Sequence, residues 1–330
     1  MRAARLRAPG QLEVRDEPTA VPAAGEELVR VKAVGVCGSD LQWFSKGGIG
    51  DAHLRGTLVL GHEGAGEQGN GERVAFDPAI PCGSCEWCRQ GHPNLCPDVQ
   101  FAGHGSRDGF LREWIAWPSN CLYLLPDSIG AGEGAMLEPL GVALHAMDLA
   151  KLRTGMTVGV FGCGPIGLLI VQLARLCGAS RIIATDLVPH RLDAARNFGA
   201  SHTFRAAGAE LPEVLSATGK RGVDAAFEVA GEQAAVDTAV GATCPGGKVM
   251  LVGIPADDRT SFSASTARRK GLTIKLVRRM KHTYPRAIEL AANGRIDLRS
   301  LVTHRFPLEK TAEALATAQR REGVKVIIEL

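Results

Sequence analysis

The sequence predicts an α/β protein of two domains, one assembled from short strands and loops and the other a doubly wound parallel sheet. Three observations carry that expectation. The chain has 330 residues, more than one hydrophobic core usually serves. Its first ~130 residues are broken by glycine and proline and carry short β-branched runs such as Leu28 to Val34, the texture of short strands and loops. From Met156 onward, apolar runs (TVGVF, RIIAT, AAFEV, KVMLVG, TIKLV) alternate with helical patterns at Ile166 to Leu176, Arg191 to Phe198 and Glu232 to Ala239. Such alternation is the mark of βαβ units and a parallel sheet.

The texture changes near Met136, and the last ~45 residues depart from the alternation again, with helical patterns around Arg286 to Ala292 and Leu308 to Arg320 and a closing strand, VKVIIEL. No repeat of solenoid period and no low-complexity linker interrupts the chain. The C-terminal segment is therefore expected to return and pack on the N-terminal one, which makes the first domain discontinuous.

Composition excludes several classes of function. Charged residues at 22% and the AVILMFWYC set at 45% suit a globular protein and argue against disorder. A net charge of only +3, with no block of like charges, makes nucleic acid and anionic membrane poor partners. The start, MRAARLRAPGQLEV, lacks the apolar stretch of a signal peptide, and no apolar run is long enough to span a bilayer. A cytoplasmic protein is expected. Its nine cysteines fit a reducing compartment only if they serve something other than disulfides.

The run Met156 to Phe161 leads directly into Gly162-Cys163-Gly164-Pro165-Ile166-Gly167 and an apolar helix. Gly162 suits the tight turn, Gly164 lets a pyrophosphate reach the backbone, and Gly167 permits close packing of helix on strand. The helix N-terminus then receives the diphosphate. A glycine-rich turn arises readily in a chain with 40 glycines, so the motif alone is weak. The context strengthens it: a second strand, Arg181 to Thr185, ends in Asp186, whose carboxylate can accept both ribose hydroxyls of NAD and would repel a 2′-phosphate. Arg191 either flanks the adenosine or simply begins a helix.

Two constellations point to metal. Cys82, Cys85, Cys88 and Cys96 supply four thiolates from one loop, enough to close a tetrahedral shell and stabilise a segment with little core of its own. A zinc-ribbon DNA module shares that spacing, but the charge and the absence of a basic recognition helix argue against one. The second set is dispersed: Cys37 in GVCGSD, His62 and Glu63 in GHE, and Glu138 in MLEPL. One thiolate, one imidazole and one carboxylate make a three-ligand zinc with the fourth position open. Asp40 suits the outer shell, accepting the other ring N–H of His62. Taken singly, Cys37 reads as a small core residue, His62 as a satisfied turn histidine and Glu138 as a helix-start carboxylate.

Taken together and in order, GVCGSD, GHE, the four-cysteine loop, EPL and FGCGPIG resemble the medium-chain dehydrogenase/reductase superfamily over nearly the whole chain. Within it the chain is most similar to sorbitol (polyol) dehydrogenases. Glu138-Pro139-Leu140 stands where ethanol-type enzymes place a cysteine, and Leu301 to Leu308, LVTHRFPL, repeats a segment typical of polyol enzymes. The resemblance implies a GroES-like catalytic domain at 1–139 and 282–330 and a Rossmann NAD-binding domain at 140–281. It implies two zinc ions per chain and a homodimer or homotetramer joined near Leu272 to Val277. It also implies that Arg279, in the strip Arg278 to Pro285, faces the substrate.

Two departures from the family pattern stand out. Gln42 replaces the histidine that ends the usual proton relay, so the proton must leave by another route, such as water near Glu138. The stretch Glu67 to Val74 is shortened, which trims a surface hairpin. The expected activity is hydride transfer between NAD and a secondary hydroxyl of a polyol, sugar alcohol or cyclitol, with Ser39 the first proton acceptor and Glu63 or Glu138 a metal ligand. L-Threonine dehydrogenase and a general secondary alcohol dehydrogenase are the near alternatives. A non-catalytic dinucleotide-binding protein is the distant one, and it has no reason to keep an open-site ligand set.

Overall fold

The strand Glu26–Gly35 organises one end of the sequence. Its alternation is legible residue by residue: Val29 and Val31 are fully buried while Arg30 between them points to solvent. It pairs antiparallel with Glu63–Gln68, with Trp114–Pro118 and with the C-terminal Lys325–Glu329. The two ends of the chain thus meet in one seven-stranded sheet, whose other strands are Arg73–Phe76, Leu122–Leu124 and Val302–Pro307. In this computed structural model, which describes residues 1–105 and 107–330, the chain divides into two units, Met1–Gly141 with Lys281–Leu330, and Val142–Met280.

The core of the first unit is aromatic at its centre. Phe76 stacks on Phe110 with centroids 4.5 Å apart, and Trp117 meets Phe110 edge-on at 5.0 Å. Trp117 satisfies its indole N–H on the carbonyl of Asp77 at 2.9 Å. The strands Glu63–Gln68 and Arg73–Phe76 form the trimmed hairpin, closed where Gln68 N–H donates to Glu72 and Gly71 N–H to Gln68.

The longest element among the first ~130 residues that departs from the expectation of strands and loops is a helix. Gly38–Lys46 is an α-helix, started at Cys37, whose backbone N–H is accepted by the Asp40 carboxylate at 2.9 Å, and stopped by Gly47 at φ 71°. A second departure lies near the C-terminus. The helical pattern from Leu308 to Arg320 is split into a 3₁₀ turn, Leu308–Lys310, and a helix, Thr311–Gln319, because the Thr311 hydroxyl donates to the Leu308 carbonyl at 2.6 Å and bends the chain there.

The second unit is an all-parallel six-stranded sheet in the order His202–Arg205, Arg181–Asp186, Thr157–Phe161, Val223–Glu228, Thr243–Leu251, Thr273–Leu276. Its inner strands are buried on both faces, as a parallel sheet covered by helices requires. The helix Pro165–Leu176 begins with proline at its first position, where the missing N–H costs nothing, and buries Leu168 to Ala174. Among the described residues no helix is long and apolar enough to cross a membrane.

Candidate metal centre and dinucleotide turn

Cys37, His62 and Glu63 come from two elements that the sheet holds side by side. Glu63 opens its strand opposite Gly35, two residues before Cys37. Each of the three residues offers one ligand atom, and these atoms lie within 4.8 Å of one another. His62 and Glu63 are buried, at 6% and 2% exposure, and Cys37 is half-buried, so the cluster has one accessible side. His62 turns Nδ1 toward Asp40, 3.5 Å away, which leaves Nε2 for a metal. The Ser39 hydroxyl lies 3.4 Å from that Nε2. Asp40 ties the assembly together, since it accepts the N–H of Cys37 and, at 3.1 Å, that of Gly61.

The electrostatics of this pocket call for a cation. Burial alone pushes the Asp40 carboxyl up, but the His62 charge, a hydrogen bond from His62 and the two backbone N–H groups outweigh it and hold the carboxyl below its usual range. Burial pushes His62 down, and the negative charges of Asp40 and Cys37 more than reverse this, leaving its pKa well above the ordinary value. A site that draws a proton onto a buried imidazole so strongly also fits a metal ion, and one thiolate, one imidazole and one carboxylate suit zinc. Glu138, at the start of the helix Leu137–Ala150, is buried as well. Burial raises its carboxyl to about 8, against the pull of His62 and with the like charge of Glu63 adding to the rise. The close cluster consists of Cys37, His62 and Glu63, and Glu138 stands outside it.

Cys82, Cys85, Cys88 and Cys96 bring their sulfurs within 4.8 Å of one another. Three backbone N–H groups already point at sulfur: Cys82 to Cys96 at 3.4 Å, Cys85 to Cys82 at 3.3 Å and Cys88 to Cys85 at 3.4 Å. The backbone N–H groups of Ser84 and Cys85 lower the Cys82 thiol to about 6. Desolvation, followed by the neighbouring thiols, raises Cys88 to about 12. The short helix Glu86–Arg89 within this loop buries no residue, so apolar packing does not hold it.

In the second unit, the turn after Thr157–Phe161 carries the three glycines. Gly162 adopts φ 110°, a Cβ on Gly164 would meet nothing nearer than Arg191 Nη1 at 4.0 Å, and a Cβ on Gly167 would overlap the Gly162 carbonyl oxygen. Gly164 thus leaves open space, with the Arg191 guanidinium at its edge. Pro165 and Ile166 form the first turn of the helix. Asp186 ends its strand buried at 8% exposure, and its two oxygens accept the N–H groups of Cys163 at 2.7 Å and Val188 at 2.8 Å. The aspartate therefore organises the turn itself, a role the sequence did not reveal.

Comparison with known proteins agrees with both halves of this geometry. Residues 23–127 match the model of the alcohol dehydrogenase GroES-like domain, and residues 165–293 that of zinc-binding dehydrogenase. Sorbitol dehydrogenase of Bacillus subtilis is 38% identical over 331 residues, covering 96% of this chain and 94% of that protein. The chain belongs to the zinc-binding alcohol dehydrogenase family. L-Idonate 5-dehydrogenase of Vitis vinifera is 36% identical, with 95% of this chain and 91% of that protein covered. Among solved structures, an oxidoreductase/dehydrogenase of unknown specificity from Escherichia coli superposes with a TM-score of 0.94 at 31% identity, covering 99% of this chain and 98% of that one.

The chain is thus a dehydrogenase with zinc and a nicotinamide dinucleotide as its cofactors, built from a GroES-like and a Rossmann fold. Arg279 belongs to the second unit, where it is half-buried at φ 52°. Two neighbours of the Cys37, His62 and Glu63 cluster belong to no motif. Phe101 sets its ring against that of His62, with centroids 5.4 Å apart. Lys325, inside the closing strand, is 2% exposed and forms an ion pair with Glu63. A lysine between two valines in an apolar strand was the available signal.

Proposed function

We propose that this dehydrogenase oxidises a secondary hydroxyl of a polyol, sugar alcohol or cyclitol with NAD as hydride acceptor. In this reading Cys37, His62 and Glu63 hold the catalytic zinc, Glu138 stands by as an alternative ligand, and Cys82, Cys85, Cys88 and Cys96 hold a structural one. The observation that carries it is the convergence of the three ligand atoms within 4.8 Å, with His62 and Glu63 buried and Cys37 half-buried. Relatives named for sorbitol and L-idonate support a polyhydroxylated substrate.

Zinc supplies Lewis acidity that makes a hydroxyl proton labile, and the oxidised nicotinamide supplies the hydride acceptor. The chain's own residues do the rest. Asp40 fixes the His62 ring so that Nε2 faces inward. The Ser39 hydroxyl, beside that nitrogen, takes the proton first and passes it on. Gln42 cannot titrate, so the proton continues through water near Glu138. Gly162, Gly164, Pro165, Ile166 and Gly167 receive the pyrophosphate, Asp186 selects the ribose diol over a phosphorylated ribose, Arg191 steadies the cofactor, and Arg279 binds substrate hydroxyls away from the reacting carbon.

A cytoplasmic setting is supported by the use of four cysteines in one loop as a metal-ligand set rather than as disulfides. A homodimer or homotetramer is supported by the edge strand Thr273–Leu276, whose Leu276 is 78% exposed beside unpaired backbone groups. The test is an NAD-reduction screen of the purified protein over polyols, cyclitols, threonine and simple secondary alcohols, with metal analysis. Polyols or cyclitols should be the best substrates. Preference for threonine, or equal rates with 2-propanol, would overturn the assignment.

A further inference from the structure

Lys325 is the one buried lysine among the described residues, and its ammonium pairs with Oε2 of a carboxylate equally hidden from water, Glu63. The surroundings are shaped around this pair. Gly35 lies across from both, and a Cβ there would overlap Glu63 Oε2 and press on Lys325 Cε at 2.8 Å. Both partners are carried on strands paired to the same strand, Glu63 opposite Gly35 and Lys325 two residues before Ile327, which is also opposite Gly35. The ion pair is therefore fixed by backbone register rather than by side-chain reach. Burying a lysine is costly unless it is paired, and a hydrophobic residue in its place would leave the Glu63 carboxylate buried without its partner.

The same carboxylate belongs to the ligand cluster with Cys37 and His62. A lysine and a divalent cation thus address one carboxylate, and each lowers its attraction for the other. Lys325 also faces the negative charges of Cys37 and Glu138. We propose that Lys325 is a positioning residue for the catalytic zinc: it holds the Glu63 carboxylate and offsets its charge, so that Glu63 remains a weak and displaceable ligand. This rests on the reading that Cys37, His62 and Glu63 bind the exchangeable zinc. With Glu63 held loosely, its own coordination position can pass to the substrate hydroxyl or to Glu138 when the site is loaded with zinc. Without Lys325, Glu63 becomes a full-strength ligand that competes with substrate.

The experiment uses the zinc-loaded full-length protein and follows zinc release from the exchangeable site to a chromogenic chelator, alongside kcat and the cobalt(II) absorption spectrum. For Lys325→Met, release slows about tenfold or more, kcat falls and the cobalt spectrum shifts, whereas Lys325→Arg restores all three. Faster or unchanged release in Lys325→Met overturns the proposal. If Lys325→Met fails to fold, the double variant Glu63→Gln/Lys325→Met, which buries no unpaired charge, is compared with Glu63→Gln alone. The two release zinc at the same rate if Lys325 acts through Glu63, and a difference between them overturns it. Absence of an exchangeable zinc in the unmodified protein would instead sink the ligand assignment on which the proposal stands.

Discussion

Asp40 Oδ1 lies 3.5 Å from His62 Nδ1 while its other carboxylate oxygen accepts the backbone N–H of Cys37, so one buried side chain orients two members of the metal cluster. The second contact caps the helix Gly38–Lys46, and the first fixes the tautomer of the imidazole. Asp40→Ala therefore weakens zinc at the exchangeable site by roughly 10- to 100-fold, with a parallel loss of activity at limiting metal. Equilibrium dialysis against a zinc buffer measures it. An unchanged affinity would show that His62 needs no partner.

The two cysteine-containing sites should respond differently to a chelator. In the proposed assignment the four-thiolate loop forms a closed shell with no place for an incoming ligand, whereas the Cys37 cluster includes a half-buried member. Two zinc ions per chain are expected, one leaving quickly with loss of activity and one slowly with loss of structure. Cys88→Ala lowers the melting temperature and solubility before it touches turnover per folded molecule. Cys37→Ala and His62→Ala abolish turnover and leave the fold. A single zinc in a fully active enzyme contradicts this division.

How far the site could be read in advance follows from how local its determinants are. The cysteine loop and the glycine turn are contiguous, and their spacing alone restricts the geometry. The parallel sheet announced itself because strands buried on both faces read as unbroken apolar runs, as in Thr157–Phe161. The helix Gly38–Lys46 did not, because a cysteine rather than serine or aspartate opens it and Asp40, three residues on, supplies the cap. Lys325 was hidden for a deeper reason. Its partner Glu63 is reached only through pairing of the last strand with Glu26–Gly35, and register between distant strands is a tertiary property. Asp186 shows a milder case: its side chain has backbone partners at Cys163 and Val188 that no motif reports.

That second role of Asp186 changes what its substitution does. In the proposed cofactor site Asp186→Ser removes the carboxylate that would disfavour a 2′-phosphate, so the ratio of kcat/KM for NAD over NADP should fall by about tenfold or more, equivalent to ~1.4 kcal/mol. It also leaves the N–H groups of Cys163 and Val188 without their acceptor and lowers the melting temperature. Kinetics with both cofactors and a thermal melt separate the effects. Equal use of NAD and NADP by the unmodified enzyme would remove Asp186 from the ribose site.

Acid stability depends in part on Glu17. Its hydrogen bond from Arg5, helped by Arg15 and opposed by burial, lowers the carboxyl from 4.5 to about 2. A depressed carboxyl contributes stability that is complete above its unfolded value and disappears as pH falls through the folded one. The melting temperature of the unmodified protein should therefore exceed that of Glu17→Gln near neutral pH. The gap should narrow as pH falls below about 4.5 and close below about pH 2, where both forms carry a neutral side chain. Because other acid-sensitive groups are common to the two proteins, the difference between their melting curves isolates this contribution. A gap that persists unchanged at the lowest pH would mean that shape, not charge, explains it.

Substrate preference offers the sharpest test of Arg279. An exposed basic turn needs no arginine at one position more than at another, yet this one is half-buried in a left-handed backbone conformation, while its neighbour Arg278 is exposed. Its planar guanidinium presents several fixed donors, suited to hydroxyls that flank the reacting carbon. Contacts of that kind orient the reacting group, and a substrate without the hydroxyls leaves donors unsatisfied. Polyols should accordingly exceed 2-propanol by a large factor in kcat/KM. Arg279→Ala should cost polyols about 1.5–3 kcal/mol, roughly 10- to 150-fold, and cost 2-propanol little. Arg279→Lys should recover only part of the loss, because an ammonium keeps the charge but not the fork. Zinc content measured in parallel should stay unchanged. A uniform loss across polyols and simple alcohols would assign Arg279 to the fold or the cofactor instead of the substrate.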